Sequence, residues 1–167
     1  EKRAEIAAKI KTLEEGDEKL EELEDDERRT RDEAVSLAEK INRKRVDAAK
    51  TVSEEIVSYL RFLDMPKVRF RISVTPVREA SGEYSLKSDG YDDIDFLISV
   101  NTGEELASLG KVSSGGEMSR ITLAIKTAIA GKNDSGTLIF DEIDAGVSGG
   151  TAEKIGIMLA KLSENAQ

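Results

Sequence analysis

The first 63 residues contain no proline and a single glycine, Gly16, in a run dominated by Glu, Lys, Arg, Ala and Leu. Such a stretch commits the chain to helix, because nothing in it breaks the i to i−4 hydrogen bonding. The spacing predicts one long, interrupted helix over residues 1–63. Ile6, Ile10, Leu13 and Leu20 fall at the alternating spacing of a coiled-coil seam. The register then meets Glu24, Glu27 and Arg31, so the seam fails, and it resumes at Ala34, Ala38 and Ile41. Val52, Ile56, Tyr59 and Leu63 make a second stripe. A stripe on a lone helix needs something to cover it. With no second long helix in the sequence, the expected cover is a helix of another chain or of an earlier part of the same parent chain. The sequence opens on Glu, inside the helical pattern, as an excised piece would.

Met65-Pro66 ends the helix, since proline disfavours helix in the residue before it. Beyond it the pattern changes to period two. Val68, Phe70, Ile72 and Val74 share one face, and Arg69, Arg71 and Ser73 the other. A Gly-, Ser- and Asp-rich loop at 80–92 leads to a second alternating run over 93–100, with Ile94, Phe96, Ile98 and Val100 on one face. The two runs read as neighbouring antiparallel strands, in which Asp93 and Asp95 would face Arg69 and Arg71. Residues 115–130 return to helical spacing (Met118, Ile121, Ile125, Ile129), a turn follows at Gly131–Gly136, Thr137–Phe140 is a short apolar run of buried-strand type, and 150–162 is a last helix. The predicted organisation is a coiled-coil arm over 1–63 and an α/β lobe over 64–167.

Composition removes several chemistries. The chain has no Cys and no His, which excludes disulfides, thiolate metal sites and a histidine base. The formal charge is −9, so as a whole this chain does not attract DNA. A DNA partner would need a local basic patch. Arg43-Lys44-Arg45 on the helix and Lys67, Arg69 and Arg71 on the first strand are the candidates, against a plainer reading as solvated helix charges and cross-strand ion pairs. No apolar run is long enough to span a bilayer and no secretory signal opens the sequence, so a cytoplasmic protein is expected.

Two segments carry chemistry. Ser113-Ser114-Gly115-Gly116-Glu117 starts a helix, and Ser114 with Glu117 fits a capping box. Two glycines in the first helical turn weaken a helix that needs only a cap. They suit a helix whose bare amides approach a phosphate, with the dipole favouring the anion. Leu138-Ile139-Phe140-Asp141-Glu142, followed by Asp144, is an apolar strand ending in acids, the form of a Walker B element. A core strand followed by an acidic loop is the plain alternative. No P-loop is present: in the nearest run, Gly103 to Lys111, the glycines are too far apart and Val112 follows the lysine.

Taken in order, these segments resemble the signature motif, Walker B element and D-loop (Asp144 to Gly149) of ABC-type ATPases, although Ser113 stands where Leu is usual. Within that superfamily Lys111 to Arg120, Thr137 to Gly149 and Phe96 to Glu104 are similar to the corresponding runs of the RecN family, with Thr102 where Pro is common. The segment ending the helix, Leu60 to Phe70, also fits, and the resemblance is specific from about residue 56 to the end. It implies a partial ABC-type ATPase head, its C-terminal lobe, with a long coiled-coil helix on the N-terminal side. It implies ATP and Mg²⁺ as cofactors. Two heads would sandwich ATP as a homodimer, with Ser114, Gly115, Gly116 and Glu117 binding ATP in trans. Asp141 would hold Mg²⁺ through its water shell, Glu142 would be the hydrolytic carboxylate, and Asp144 and Gly146 would belong to the D-loop. The P-loop would lie in the N-terminal half of the parent chain and the switch histidine beyond Gln167, so this piece alone would be inactive. The implied role is ATP-dependent binding and holding of double-stranded DNA ends in recombinational repair, at the nucleoid, with Arg43, Lys44 and Arg45 as DNA contacts. The rival readings are another SMC-like chromosome-maintenance ATPase and a non-catalytic coiled-coil scaffold. An ABC transporter subunit fits less well, because those lack an arm entering the head.

Overall fold

The computed structural model describes residues 2–112, 114–130 and 137–164. Ser113 and the predicted turn at Gly131–Gly136 lie outside the described residues, as does the side chain of Ile10 in the seam. Helix α1 (Lys2–Phe62) is followed by strands β1 (Arg69–Pro76), β2 (Asp92–Ser99) and β3 (Ala107–Ser108), a 3-10 turn at Leu109–Lys111, and helices α2 (Gly115–Ile129) and α3 (Gly149–Leu162). The class is α/β, as the pattern predicts. The chain forms two compact units, residues 1–42 with 77–91 and residues 43–76 with 92–167.

Helix α1 is a single element of 61 residues, unbroken at Gly16. The interruption in the seam is therefore chemical and not conformational: helix propensity carries the backbone through turns that have no apolar face. In the first unit Ile6, Leu13, Leu20 and Leu23 are exposed, as a seam without its cover must be. Ala38 is buried, and Arg31 forms a 2.8 Å ion pair with Glu83 in the 77–91 segment. That segment, a loop by composition, is held by its own contacts. Val77 N–H donates to the Tyr91 carbonyl at 2.8 Å. Tyr84 stacks on Tyr91 with ring centroids 4.3 Å apart, and the Arg78 guanidinium lies 4.1 Å from the Tyr84 centroid.

The second unit contains the core. Ile56, Leu60, Leu63, Ile121 and Leu123 are fully buried, joined by Val68, Phe70, Ile98, Ala124, Ile155, Met158 and Leu162. Each fully buried large side chain contributes about 1.5–3 kcal/mol. The second stripe of α1 is thus covered by the α/β layer of its own chain, and the partner helix expected for it is not needed. Helix α2 is buried on more sides than its isoleucine stripe implies, because Leu123, Ala124, Thr127 and Ala128 are also inside.

Strands β1 and β2 pair antiparallel with Arg69 opposite Ser99, Arg71 opposite Leu97, Ser73 opposite Asp95 and Thr75 opposite Asp93. This corrects the expected facing of Asp93 and Asp95 with Arg69 and Arg71. Antiparallel pairing sets the start of one strand against the end of the other, so the two charged pairs sit toward opposite ends of the ladder. Arg69 instead donates to Ser99 Oγ and to the Glu104 carbonyl, and Asp95 accepts from Ser108 Oγ at 3.0 Å. The outer edge of β1 runs beside α1. Ser53 Oγ accepts from the Ile72 amide at 3.0 Å while donating to the Ala49 carbonyl at 2.5 Å. The sheet order is β1-β2-β3, and Thr137–Phe140 is not part of it. That run has no ladder partner among the described residues, and Ile139 is 90% exposed. An apolar run becomes a buried strand only when neighbouring strands flank it.

The exit of α1 is set by more than Pro66. Met65 N–H bonds the Leu60 carbonyl at 3.0 Å and Asp64 N–H the Arg61 carbonyl at 3.2 Å, with Asp64 at φ +59. This is a Schellman close with Asp in the left-handed position that glycine usually fills. Buried Leu60 and Met65 complete it. The Asp64 carboxylate compensates by reaching α3, accepting from Thr151 Oγ1 at 2.7 Å and Lys154 Nζ at 2.6 Å.

Candidate active site

Ser114 is the N-cap of α2, in extended backbone at φ −89, and its Oγ accepts from Glu117 N–H at 3.4 Å. Gly115 and Gly116 form the first turn. The turn after Phe140 packs on both, and Gly116 is required to be small because it faces backbone. A Cβ at Gly115 would lie 2.5 Å from Glu142 Oε2. One at Gly116 would lie 3.1 Å from the Ala145 carbonyl and 3.3 Å from the Ala145 Cβ. The two segments singled out in the sequence are therefore one site: the start of α2 and the acidic turn 141–145 are in contact.

The turn has its own internal order. Asp141 Oδ1 accepts from Glu142 N–H at 2.9 Å. Glu142 takes φ +54, a left-handed conformation that costs a non-glycine residue on the order of 1 kcal/mol or more. Its carbonyl accepts from Ala145 N–H at 3.0 Å, and Asp144 accepts from Val147 N–H at 3.3 Å with Gly146 at φ +70. The side chains of Asp141, Glu142 and Asp144 are all exposed. Two residues of α2 to which the sequence reading gave no role also hold this turn. Ser119 Oγ donates to the Asp141 carbonyl at 2.6 Å, and Arg120 Nη1 to the Ala145 carbonyl at 3.4 Å. The available signal was their place in the run Lys111 to Arg120, directly after the glycines.

Among the described residues no three acidic or other metal-ligating side chains converge. Asp141 and Glu142 thus offer a pair of exposed carboxylates. That fits Mg²⁺, which keeps most of its water and phosphate ligands and takes one or two carboxylates. The basic cluster on α1 is elsewhere in the second unit. Arg43 and Lys44 are exposed, while Arg45 forms a 3.0 Å ion pair with Asp92, whose side chain is fully covered.

Comparison with known proteins relates this chain to a named lineage. The chain is 37% identical over 147 residues to the DNA repair protein RecN of Treponema pallidum, a match covering 88% of this chain and 26% of that protein. It is 41% identical over 133 residues to RecN of Vibrio cholerae, covering 80% and 23%, and 40% identical over 147 residues to RecN of Bacillus subtilis, covering 82% and 25%. The chain is a relative of the RecN proteins. It spans about a quarter of the length of the curated RecN proteins it matches, as a C-terminal portion of such a protein would. No family model matches it. Among solved structures, an SMC head bound to the C-winged helix domain of ScpA covers 73% of this chain and 34% of its own, at 17% identity and a TM-score of 0.47. A long helix, a small antiparallel sheet, the Gly-Gly helix start and the acidic turn follow one another in the order expected from the sequence.

Proposed function

We propose that the chain is the C-terminal lobe of a RecN-type ATPase head, which hydrolyses ATP in the course of DNA repair once the remainder of the protein supplies a P-loop. The observation that carries this is the packing of the Ser114-Gly115-Gly116 helix start against the acidic turn, where a Cβ at Gly116 would press on the Ala145 backbone carbonyl. A scaffold needs neither glycines at a helix start nor a strained glutamate beside them.

On this reading the start of α2 at Gly115, with Ser114, binds the γ-phosphate of a nucleotide held by a second head, where the helix dipole adds to the attraction, while buried Gly116 lets the acidic turn pack beside it. Asp141 holds Mg²⁺ through its waters, and the ion supplies charge neutralisation at the phosphates when bound. Glu142 polarises the attacking water. Its carboxylate lies against the start of α2 at Gly115, and position and electrostatics are most of what phosphoryl transfer asks of a protein. Asp144 and Gly146 lie at the contact between heads, so a complete site needs a homodimer. Double-stranded DNA, its ends in particular, is the partner. Arg43, Lys44 and Arg45 contribute phosphate contacts, with Arg45 also paired to Asp92.

The test is ATP turnover by the full-length protein and its Glu142→Gln variant. Retained ATP binding with turnover reduced by roughly a hundredfold or more is expected of a lost catalytic carboxylate. Equal turnover by the two proteins would remove Glu142 from catalysis, and absence of ATP binding by both would favour a scaffold. For the basic cluster, replacing Arg43 and Lys44 with Gln should reduce the slope of log affinity for duplex DNA against log salt by about two. An unchanged slope would remove them from the interface.

A further inference from the structure

Ser119 and Arg120 lie on the α2 turn following the glycines, and neither carries an assigned role. Their side chains leave the helix and end on backbone carbonyls of the acidic turn. Ser119 Oγ is 2.6 Å from the Asp141 carbonyl, and Arg120 Nη1 is 3.4 Å from the Ala145 carbonyl. These carbonyls bracket Glu142. Between them Glu142 adopts its φ of +54, and its own carbonyl accepts from Ala145 N–H. A strained residue persists only where its surroundings over-determine it. The turn's own hydrogen bonds are short-range and its acidic side chains are exposed; Ile143 packs against the core, and Ser119 and Arg120 add polar anchors from a helix whose other face is in the core.

We infer that Ser119, assisted by Arg120, is a positioning residue that fixes the Asp141-Glu142 turn to the phosphate-facing helix. Movement of α2 on meeting a nucleotide is thereby transmitted to the hydrolytic carboxylate. This rests on the ATPase reading above. Since the same helix presents Gly115 and Gly116, a phosphate arriving at its N-terminus and the carboxylate awaiting water are joined by one hydroxyl and one guanidinium. No other side-chain hydrogen bond between α2 and residues 141–145 is present among the described residues. The predicted consequence is kinetic: without the anchor the nucleotide still binds, but the carboxylate is held less often in its productive position.

The experiment compares ATP hydrolysis by full-length protein carrying Ser119→Ala, Ser119→Thr and Arg120→Ala with wild type and Glu142→Gln, alongside thermal melts. Ser119→Ala should reduce kcat about tenfold to a hundredfold at nearly unchanged KM, because misplacing a catalytic group by about 1 Å costs that much. Its melting temperature should be close to wild type, since alanine suits a helix better than serine. Ser119→Thr, which keeps the hydroxyl, should restore most of the turnover, and Arg120→Ala should show a smaller loss of the same kind. Wild-type kcat in Ser119→Ala overturns the inference. So does a Thr variant as slow as Ala, or a loss that appears only in KM. If wild type and Glu142→Gln hydrolyse ATP equally, the ATPase reading fails first. If only Glu142→Gln is inactive and Ser119→Ala is not, that reading stands and this inference alone is lost.

Discussion

At Gly116 a single hydrogen decides whether two segments can meet. A methyl there would press on the Ala145 carbonyl at 3.1 Å, a backbone atom that cannot rotate aside. Gly116→Ala should therefore destabilise the lobe by about 1–3 kcal/mol, as overpacking does, read as a lowered denaturation midpoint. Gly115→Ala meets only the flexible end of Glu142 and should leave the midpoint near wild type while displacing that carboxylate. If Gly116→Ala melts like wild type, the packing of α2 on the turn is looser than described. Asp64 is a second residue whose neighbours set its behaviour. The hydrogen bond from Lys154, then that from Thr151, lowers its pKa below the ordinary 3.8. A carboxylate with a lowered folded-state pKa stabilises above its unfolded pKa, and the contribution fades as pH falls through the lowered folded value. Asp64→Asn keeps a residue that tolerates φ of +59 and removes the charge. It should be less stable than wild type at neutral pH and approach it as pH falls through the lowered folded value, as followed by melts across pH. A gap that stays constant into acid would show that the charge is not involved.

Among elements, α1 is the most informative, because one continuous helix serves two environments. Leu60 is fully buried while Leu20 is exposed. Leu60→Ala should cost about 2–5 kcal/mol, whereas Leu20→Ala in the same isolated chain should change stability by less than about 0.5 kcal/mol. Comparable losses at both positions would mean that the seam is covered in solution. Ser53 connects the helix to the sheet edge through the Ile72 amide. That contact is invisible to periodicity, since serine in a helix gives no hint of which strand passes beside it. The alternation of 68–74 and 93–100 was legible, yet the pairing of Arg69 with Ser99 was not. Register depends on where the chain turns, and the 77–91 segment turns through an aromatic stack and not a short hairpin. Thr137–Phe140 shows the converse. Its apolar pattern suits a buried strand, but pattern alone does not supply neighbours.

For the molecule as a whole, the site described is open. It offers a Gly-Gly helix start and two exposed carboxylates, with no sequence able to form a P-loop. The 167-residue chain by itself should show no ATP hydrolysis above background, and activity should require the rest of the full-length protein. Turnover by the isolated chain, abolished by Glu142→Gln, would mean that it contains a complete site. The charge of −9 argues in the same direction for DNA, because any affinity of this chain would have to come from local patches.

Local chemistry is what the sequence by itself determined. Helix propensity set α1, alternation set β1 and β2, Ser114 capped α2, and the order of Gly-Gly helix start and apolar-acidic run marked the candidate site. Each depends on residues within a few positions of one another, where spacing translates directly into shared faces. Only the tertiary structure decided that Ile56, Leu60 and Leu63 belong to the core and not to a coil, that Arg45 is neutralised by Asp92, and that Ser119 and Arg120 reach the carbonyls around Glu142. These contacts join residues separated by 22 to 47 positions or more along the chain. Their partners are selected by the packing of whole elements, and no local period records that.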